Sequence, residues 1–380
     1  MVAIDLTESS SVSAIVLAAG SGSKLGSHRP GLLEDLCGQP IVLSVLNAVV
    51  DAGVSSLSVV VSRGAEDVVK TLQGRLGDVG LGFVEQHVQR GTGDAVLAGL
   101  TVLDDHDYDD DGHVLIVHGD MPLLTGGLLR SFLRGHLESG AEASVLATPP
   151  FGPVANRPRL TQKASGSVAG TVAGIDVDGA NQDTPSPDAT ADDPVVAGCY
   201  VVRRGLLAAA IRRTSPQNSR GDFNLNDAIG VLASAGHRVE SHVVTDLDSV
   251  RSVSSYEDLA IAEALIRRRL TARWMARGVR MIDPARTYID ADVVLGAGVV
   301  LQPGTILRGF TVVGDHAELG PDTHLTDCAV GQHATVTRTT GRDAEVGPRA
   351  VVGPFAALEP GAQVAPDTVT GPNFVARYTD

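Results

Sequence analysis

The sequence contains few cysteines and no long apolar run. Its three cysteines, Cys37, Cys199 and Cys328, are scattered and odd in number, which favours neither a disulfide framework nor a zinc site. No uninterrupted apolar stretch is long enough to span a membrane, and the first residues lack the basic-then-apolar order of a signal peptide. We therefore expect a cytoplasmic protein that has no membrane partner.

Positive charge and aromatic side chains are also scarce. The 30 Lys and Arg residues are outnumbered by 45 Asp and Glu residues, which gives a formal net charge of −15. This balance argues against a nucleic-acid partner, because a phosphate backbone is bound through clustered cations. It leaves small anionic substrates open, since a single loop can be positive on an acidic protein. Aromatic residues make up only 3% of the chain, which suits a narrow core of aliphatic side chains.

The first part of the chain alternates apolar strands with segments of helical spacing. Strand-like runs at residues 13–18 and 55–62 begin a pattern that predicts a mostly parallel sheet covered by helices on both faces. In such folds ligands bind at the carboxyl ends of the strands, which is where Gly20, Gln86 and Asp120 fall. With 380 residues the chain is long enough for a second domain.

Apolar residues recur every six positions in the last part of the chain. A period of six is typical of a parallel β-helix, in which each hexad forms one side of a triangular coil and the aliphatic side chains stack inside. A helix predicted over residues 256–278 precedes the repeats and connects the two domains. The spacing is lost once, between a first and a second series: Ile289, Leu295, Leu301, Leu307, Val313, Leu319, Leu325; and Val346, Val352, Leu358, Val364.

A glycine-rich loop, GSGSKLGSHRPG, follows the first strand. Gly20 and Gly22 permit the positive φ angles and the close backbone approach that a phosphate-binding loop requires. Lys24 and Arg29 add positive charge to it. The loop therefore predicts contact with the phosphate groups of a nucleotide.

Five segments, in order along nearly the whole chain, carry a family resemblance: LAAGSGSKLGSHRPGLL, VEQHVQRGTGDA, VHGDMPLL, GDFNLNDAI and GVRMIDPARTYID. With them the sequence resembles the bifunctional N-acetylglucosamine-1-phosphate uridylyltransferase/glucosamine-1-phosphate acetyltransferase family. The resemblance implies synthesis of UDP-N-acetylglucosamine from UTP for the cell wall, with Mg²⁺ as cofactor.

The resemblance also implies the order of the domains. We expect a Rossmann-like α/β nucleotidyltransferase domain with a mostly parallel sheet over residues 1–250 and a helical connector over 251–282. A left-handed parallel β-helix of hexapeptide repeats is expected to follow over residues 283–380. In the family this β-helix forms homotrimers and carries the acetyltransferase.

Several residues match the family's nucleotide-binding positions. Gln86 matches a glutamine that reads the uracil edge with its amide donor and acceptor, and Asp120 matches an aspartate that coordinates Mg²⁺, for which a carboxylate is a suitable hard ligand. The remaining matches, on the loop and on the second side of the base pocket, are Ala19, Gly20, Gln89, Gly91 and Thr92.

The reacting side departs from the family. Gly31 stands where a lysine contacts phosphate, and Lys24 replaces an arginine, which keeps the charge but loses the planar fork. Arg29 is the candidate to replace the missing lysine, so Lys24 and Arg29 are the predicted catalytic cations. Ser254 stands where an asparagine shares Mg²⁺ with the aspartate, and we predict it as the second metal ligand. On the sugar side, the family's glycine, glutamate and asparagine align with Pro158, Ala173 and Val196.

The β-helix departs from the family as well. Glu359 stands where an arginine holds the sugar phosphate, which reverses the charge, and Tyr378 lies near the position of a lysine. The sequence stops at Asp380, before the coils that carry the family's catalytic histidine and coenzyme A site. We therefore expect no acetyl transfer and expect the hexads to serve assembly.

Three functions remain open on the sequence. The first is a Mg²⁺-dependent sugar-1-phosphate nucleotidyltransferase, with uridylyl transfer reduced or altered in its sugar. The second is a non-catalytic paralogue that binds UTP or a UDP-sugar, or that assembles with an active homologue through the β-helix. The third is a purely structural trimer, for which Asp120→Ala would change nothing measurable in vivo.

Overall fold

A computed structural model describes residues 12–19, 31–76, 80–103, 111–150, 158–162, 167–172, 192–214 and 222–377. The chain divides into two compact units. The first unit holds residues 1–34 and 41–256, and the second holds 35–40 and 257–380. Nothing in the sequence pattern sets residues 35–40 apart from their neighbours, so their place in the second unit is new information.

The first unit is built on one sheet with helices between its strands. Up to residue 250 the strands are β1 (Val12–Ala18), β2 (Asp35–Leu36), β3 (Gln39–Pro40), β4 (Ser56–Ser62), β5 (Gly80–Gln86), β6 (His113–His118), β7 (Ala143–Thr148), β8 (Arg159–Gln162), β9 (Val168–Val172), β10 (Val195–Arg203) and β11 (Val239–Val243). All of them except β2 and β3, which belong to the second unit, lie in this sheet. The helices of the first unit are α1 (Ile41–Asp51), α2 (Glu66–Leu76), α3 (Thr92–Leu100), α4 (Gly126–Ser139), α5 (Arg204–Arg212) and α6 (Leu225–Ser234), while α7 (Tyr256–Ala276) falls in the second unit apart from its first residue.

The sheet is mostly parallel, as the alternation of strands and helices predicts. Its order is β11-β7-β10-β6-β1-β4-β5, with β8 beside β10 and β9 beside β8. The strands β6, β1, β4 and β5 pair in parallel, and β10 runs antiparallel to β6 and β7. The carboxyl ends of β1, β5 and β6 therefore lie along one edge of the sheet.

Helices cover both faces of this sheet because its strands are apolar on both sides. In β1, Ala14 and Val16 pack into a core with α1, α2 and α4. Ile15, between them, packs into a second core with α3, α5 and α6. This burial on both faces explains why the strand reads as a continuous apolar run instead of alternating with polar residues.

The second unit begins with a hairpin contributed from far upstream. Strands β2 and β3 are joined by Cys37 and Gly38, both at positive φ, as a two-residue hairpin turn requires. The carbonyl oxygen of Cys37 accepts a hydrogen bond from the Ala291 amide at 2.8 Å, and Gln39 Nε2 donates to Asp292 Oδ1 at 2.8 Å. Burial, with help from Glu263, raises the pKa of the Cys37 thiol to about 12, so this cysteine stays a neutral thiol.

After α7, the second unit is the predicted left-handed parallel β-helix. Its strands form three sheets of parallel pairs. They are β12 (Arg280–Met281), β13 (Tyr288–Ile289), β14 (Val294–Leu295), β15 (Val300–Leu301), β16 (Ile306–Arg308), β17 (Val312–Val313), β18 (Glu318–Leu319), β19 (His324–Thr326), β20 (Ala329–Val330), β21 (Thr335–Val336), β22 (Thr340–Arg342), β23 (Glu345–Val346), β24 (Val351–Val352), β25 (Ala357–Leu358), β26 (Gln363–Val364) and β27 (Val375–Ala376).

The gap between the two series of hexads is a set of shorter coils. Val330, Val336 and Gly341 continue the inward stack between Leu325 and Val346. Along the sheet of β14, β17, β20, β23 and β26, paired residues are 18, 17, 16 and 18 positions apart. Residues are therefore missing at coil corners, so the six-residue period breaks in the sequence while the stack continues in space.

No helix in the described part of the chain is long and apolar enough to cross a membrane.

Candidate functional site

Three strands of the first unit end at the same edge of its sheet beside predicted site residues. β1 ends beside Ala19, β5 ends at Gln86, and β6 is followed by Gly119 and Asp120. The Gly119 amide donates to the Leu17 carbonyl oxygen at 2.9 Å, which ties the end of β6 to β1. The structure thus brings together the strand ends from which the sequence predicts nucleotide and metal contacts.

The turn after β5 is fixed to the end of β1. Gln89 Nε2 donates to the carbonyl oxygen of Ala19 at 2.7 Å. This bond joins two predicted nucleotide-binding positions that are 70 residues apart in sequence. Gln89 therefore acts on the turn and the strand end, holding both in place.

The start of α3 is held against the segment before α6. Gly93 N donates to the Phe223 carbonyl oxygen at 2.7 Å, and Phe223 N donates to the Arg90 carbonyl oxygen at 2.7 Å. The hydroxyl of Thr92 accepts from Leu225 N at 2.9 Å. Phe223 lies in GDFNLNDAI, so the motif is present in the sequence, but its contact with residues 90–93 is visible only in the fold.

Gly91 is required by this contact. Its φ of 93° lies in the left-handed region, and a Cβ there would sit 2.5 Å from the Phe223 carbonyl oxygen. A backbone oxygen cannot rotate away as a side chain can. The close approach of the two backbones therefore depends on glycine at this position.

Gly91→Ala is expected to lower the free energy of unfolding by about 1–3 kcal/mol, from backbone strain and the clash with Phe223. Urea denaturation followed by circular dichroism measures this. Gly64→Ala is the matched control, because Gly64 also has a positive φ (76°) but an added Cβ there would meet nothing within 4 Å. Equal destabilisation by the two substitutions would contradict a specific clash at Gly91.

Gln86 is buried, and its amide nitrogen is engaged by the protein itself. Nε2 donates to Asp94 Oδ2 at 2.9 Å and to the Gly91 carbonyl oxygen at 3.3 Å. Gln86 and Asp94 also line a cavity of about 760 Å³ between α3 and α5, together with Arg90 and Arg212. The sequence singles out Gln86 and misses Asp94.

A backbone bond ties the segment that contains Ser254 to Asp120. Val253 N donates to the Asp120 carbonyl oxygen at 2.8 Å; Asp120 is half-buried, and Ser254, the residue after Val253, is exposed. Burial, and then the negative charge of the Asp120 carboxylate, raise the pKa of the Cys199 thiol in β10. Across the described ranges, no group of three His, Cys, Asp or Glu side chains could hold a metal ion.

Val196, one of the predicted sugar-side positions, lies at the start of a bulge in β10. The pairing of β10 with β7 shifts between Val196 and Tyr200, and Gly198 within the bulge has a φ of 77°. A Cβ at Gly198 would lie 3.4 Å from Met121 Sδ and 3.5 Å from His118 Cδ2. His118, two residues before Asp120, is thus a further side chain at this edge that the sequence does not single out.

Part of the predicted site lies outside the described residues, namely Gly20, Lys24, Arg29, Ala173 and Tyr378. Of the other departures from the family, Gly31 is buried at the start of a short 3₁₀ turn, Gly31–Leu33. In the β-helix, Glu359 pairs with Arg377 at 3.6 Å.

Comparison with known proteins gives concordant matches. Residues 14–212 match the model of the MobA-like NTP transferase domain. The bifunctional protein GlmU of Thermobifida fusca (strain YX) is 34% identical over 334 residues, which are 88% of this chain and 67% of that protein. The bifunctional protein GlmU of Geobacillus sp. (strain WCH70) is 32% identical over 334 residues, 88% of this chain and 69% of that protein. The bifunctional protein GlmU of Mycolicibacterium vanbaalenii is 36% identical over 337 residues, which are 88% of this chain and 66% of that protein.

Proposed function

The chain belongs to the family of the bifunctional protein GlmU, with a MobA-like NTP transferase domain, and from this premise we propose that its first unit is a uridylyltransferase. A phosphate oxygen of N-acetylglucosamine 1-phosphate would attack the α-phosphorus of UTP. The products are UDP-N-acetylglucosamine and pyrophosphate. The reaction would depend on Mg²⁺ and run more slowly than in family members with the full set of phosphate ligands.

The convergence at one sheet edge supports this proposal. Gln86 and the turn at Gly91 lie at the carboxyl end of β5, and Asp120 follows the carboxyl end of β6 on the same edge of the sheet, where open α/β sheets bind ligands. Gln89 and Phe223 fix the turn in place. A nucleotide laid along this edge would have its base near Gln86 and its phosphates near Asp120.

The donor set fits Mg²⁺. This ion keeps several waters and substrate phosphates as ligands and needs only one or two protein carboxylates. Asp120 would hold it, with the Ser254 hydroxyl, on the segment bonded to Asp120, as a second ligand. Bound there, Mg²⁺ would neutralise charge on the triphosphate.

Two substitutions support a reduced rate. Phosphoryl transfer relies on positioning and charge neutralisation, so each lost preorganised contact costs about 10²–10³ in rate. Gly31 has no side chain to meet a phosphate, and Ser254 offers a hydroxyl where a carbonyl ligand is expected. In the second unit Glu359 carries negative charge where sugar phosphate would bind, so we propose no acetyl transfer by this chain.

Pyrophosphate release tests the proposal. The full chain would be incubated with UTP, MgCl₂ and N-acetylglucosamine 1-phosphate, with other sugar 1-phosphates in parallel. We expect release with UTP and Mg²⁺ that EDTA abolishes. No release from any sugar phosphate, at enzyme concentrations that detect a rate 10⁴-fold below a GlmU control, would overturn the proposal.

A second candidate function is binding without turnover. Gly31 and Ser254 favour it, because both remove contacts to the phosphates and the metal ion. The residues proposed to bind the base, Gln86 and Gly91, are held in place by hydrogen bonds. Calorimetry with UTP, and with UDP-N-acetylglucosamine, distinguishes the two functions: binding without pyrophosphate release supports the non-catalytic role.

Ser254→Asn is expected to raise the rate by about tenfold, because it restores a carbonyl ligand on the segment bonded to Asp120, and one preorganised contact is worth about 10²–10³ at most. Pyrophosphate release at limiting MgCl₂ measures the change. Ser252→Asn, two residues away and exposed, is the matched control and should leave the rate unchanged. A rate unaltered or lowered by Ser254→Asn would count against a metal beside Asp120.

We also propose that the β-helix forms a homotrimer, into which an active homologue could enter. Val294, Phe310 and Val312 support this, since they are exposed on the β-helix surface, with Val294 and Val312 paired in one sheet. Sedimentation equilibrium should give three times 39.3 kDa.

A further inference from the structure

Asp94 fixes which way the amide of Gln86 points. Its Oδ2 accepts from Gln86 Nε2 at 2.9 Å, and the Gly91 carbonyl oxygen accepts from the same nitrogen at 3.3 Å. A carboxylate and a backbone carbonyl oxygen can only accept hydrogen bonds, so only the NH₂ end of the amide can face them. Rotating the buried Gln86 amide by 180° would set its oxygen against two other oxygens.

This arrangement leaves only the side-chain oxygen of Gln86, Oε1, to bind a ligand. A carboxamide nitrogen carries two protons, and both are used within the protein. No described residue donates a hydrogen bond to Oε1 of Gln86. Gln86 can therefore meet a ligand only as an acceptor, and the sequence expectation that it offers both a donor and an acceptor does not hold in this geometry.

We propose that Asp94 is a positioning residue that presents Gln86 as an acceptor and thereby selects uracil over cytosine. The proposal rests on the proposed function, in which a pyrimidine nucleotide binds beside Gln86. Uracil carries a proton on N3 that can be donated to Oε1. Cytosine has a lone pair on N3, so in the same pose two acceptors would face each other without a proton between them.

The size of the expected preference follows from the cost of leaving polar groups unpaired. We expect the wild-type chain to bind UTP about tenfold or more tightly than CTP, since an unpaired buried acceptor costs about 1–3 kcal/mol, or about 5- to 150-fold. Without Asp94, one proton of Nε2 is released and the amide can turn its NH₂ toward the N3 lone pair of cytosine. The preference should then collapse.

Calorimetric titration of the full chain with UTP and with CTP, each with MgCl₂, tests this. In Asp94→Ala the ratio of the two dissociation constants should fall to about twofold or less, the level left when no hydrogen bond discriminates. Asp94→Asn keeps an oxygen that can accept from Gln86 and should retain a ratio between those of Asp94→Ala and the wild type. Glu85→Gln is the matched control, because Glu85 lines the same cavity but its ion-pair partner is His87 at 3.5 Å.

The outcomes separate this inference from the proposed function. Absence of UTP binding by the wild-type chain would overturn both. UTP binding with no preference over CTP, or a preference that Asp94→Ala leaves intact, would overturn the role of Asp94 alone. Because a general loss of stability would weaken both nucleotides alike, a change in the ratio reports on the orientation of Gln86.

Discussion

Asp120→Ala is expected to lower the rate of pyrophosphate release by about 10²–10³, the usual cost of losing one preorganised electrostatic contact. The carboxylate lies just after the carboxyl end of β6, and the backbone of Asp120 is bonded to Val253, the residue before Ser254. Its removal leaves the triphosphate charge without a protein-held counter-ion at the moment of transfer. UTP affinity should fall much less than the rate, because Gln86 and the Gly91 turn lie at the end of β5 and Asp120 at the end of β6.

The fold should survive this substitution. The bond that joins Asp120 to Val253 is made by the backbone carbonyl oxygen of Asp120, so removing the side chain leaves it intact. Asp120→Asn, which keeps the shape of the side chain and loses its charge, should show a similar loss of rate and need more MgCl₂ for half-maximal activity. Asp67→Ala, an exposed carboxylate in the first turn of α2, is the control and should change nothing.

The measurement is the initial rate of pyrophosphate release over a range of MgCl₂ concentrations. A rate within about tenfold of wild type for Asp120→Ala at saturating Mg²⁺, a loss smaller than that of one preorganised contact, would show that Asp120 does not hold the ion. If the wild-type chain itself released pyrophosphate only at the background rate, the result would favour the purely structural role of the chain instead.

The sheet and the β-helix were predictable because each has a sequence period of its own. β1 and β4 are short apolar runs, which parallel strands buried on both faces require. The hexads place one aliphatic residue inside the coil at each side of the triangle, so Leu301 and Leu307 follow directly from the spacing. The period failed only where coils lose corner residues, since a corner can shorten without disturbing the inward stack.

The site was predictable at its strand ends, and its contacts were not. Asp120 follows an apolar run, which marks a strand end in any such sheet. Its link to Val253 joins residues 133 positions apart, and no local pattern encodes such a pairing. The same holds for Phe223 against Gly91, and for Asp94, whose role depends on the rotamer of Gln86. The hairpin at 35–40 was missed because its partner, the second unit, lies more than 200 residues downstream.

A buried histidine makes the stability of the first unit sensitive to acid. His136 of α4 is 2% exposed, with Nδ1 hydrogen-bonded to Ser144 Oγ at 2.8 Å and Nε2 to His113 Nδ1 at 2.8 Å. Burial, followed by the neighbouring His113 and Arg203, lowers the pKa of His136 from 6.5 to about 4. The folded protein therefore holds this ring in its neutral form at pH values where an unfolded chain would protonate it.

The sign follows from the proton balance. Between pH 6.5 and about 4 the unfolded state binds a proton that the folded state excludes, so unfolding takes up a proton and acid favours it. The contribution is fully present above pH 6.5 and is lost as the pH falls to about 4. At about 1.4 kcal/mol for each pH unit, the loss amounts to about 3 kcal/mol.

Urea denaturation at pH 7.5 and pH 4.5 measures this loss, with His136→Gln as the variant that cannot titrate. The glutamine amide can still bond to Ser144 and His113, so the variant should fold, with a lower stability at pH 7.5 and a smaller decrease on acidification. His87→Gln is the control, because the His87 side chain is 78% exposed and should leave the decrease as it is in wild type. Since the carboxyl groups are common to all three proteins, the difference between wild type and His136→Gln isolates the buried ring. Equal decreases in these two proteins would place the acid sensitivity elsewhere.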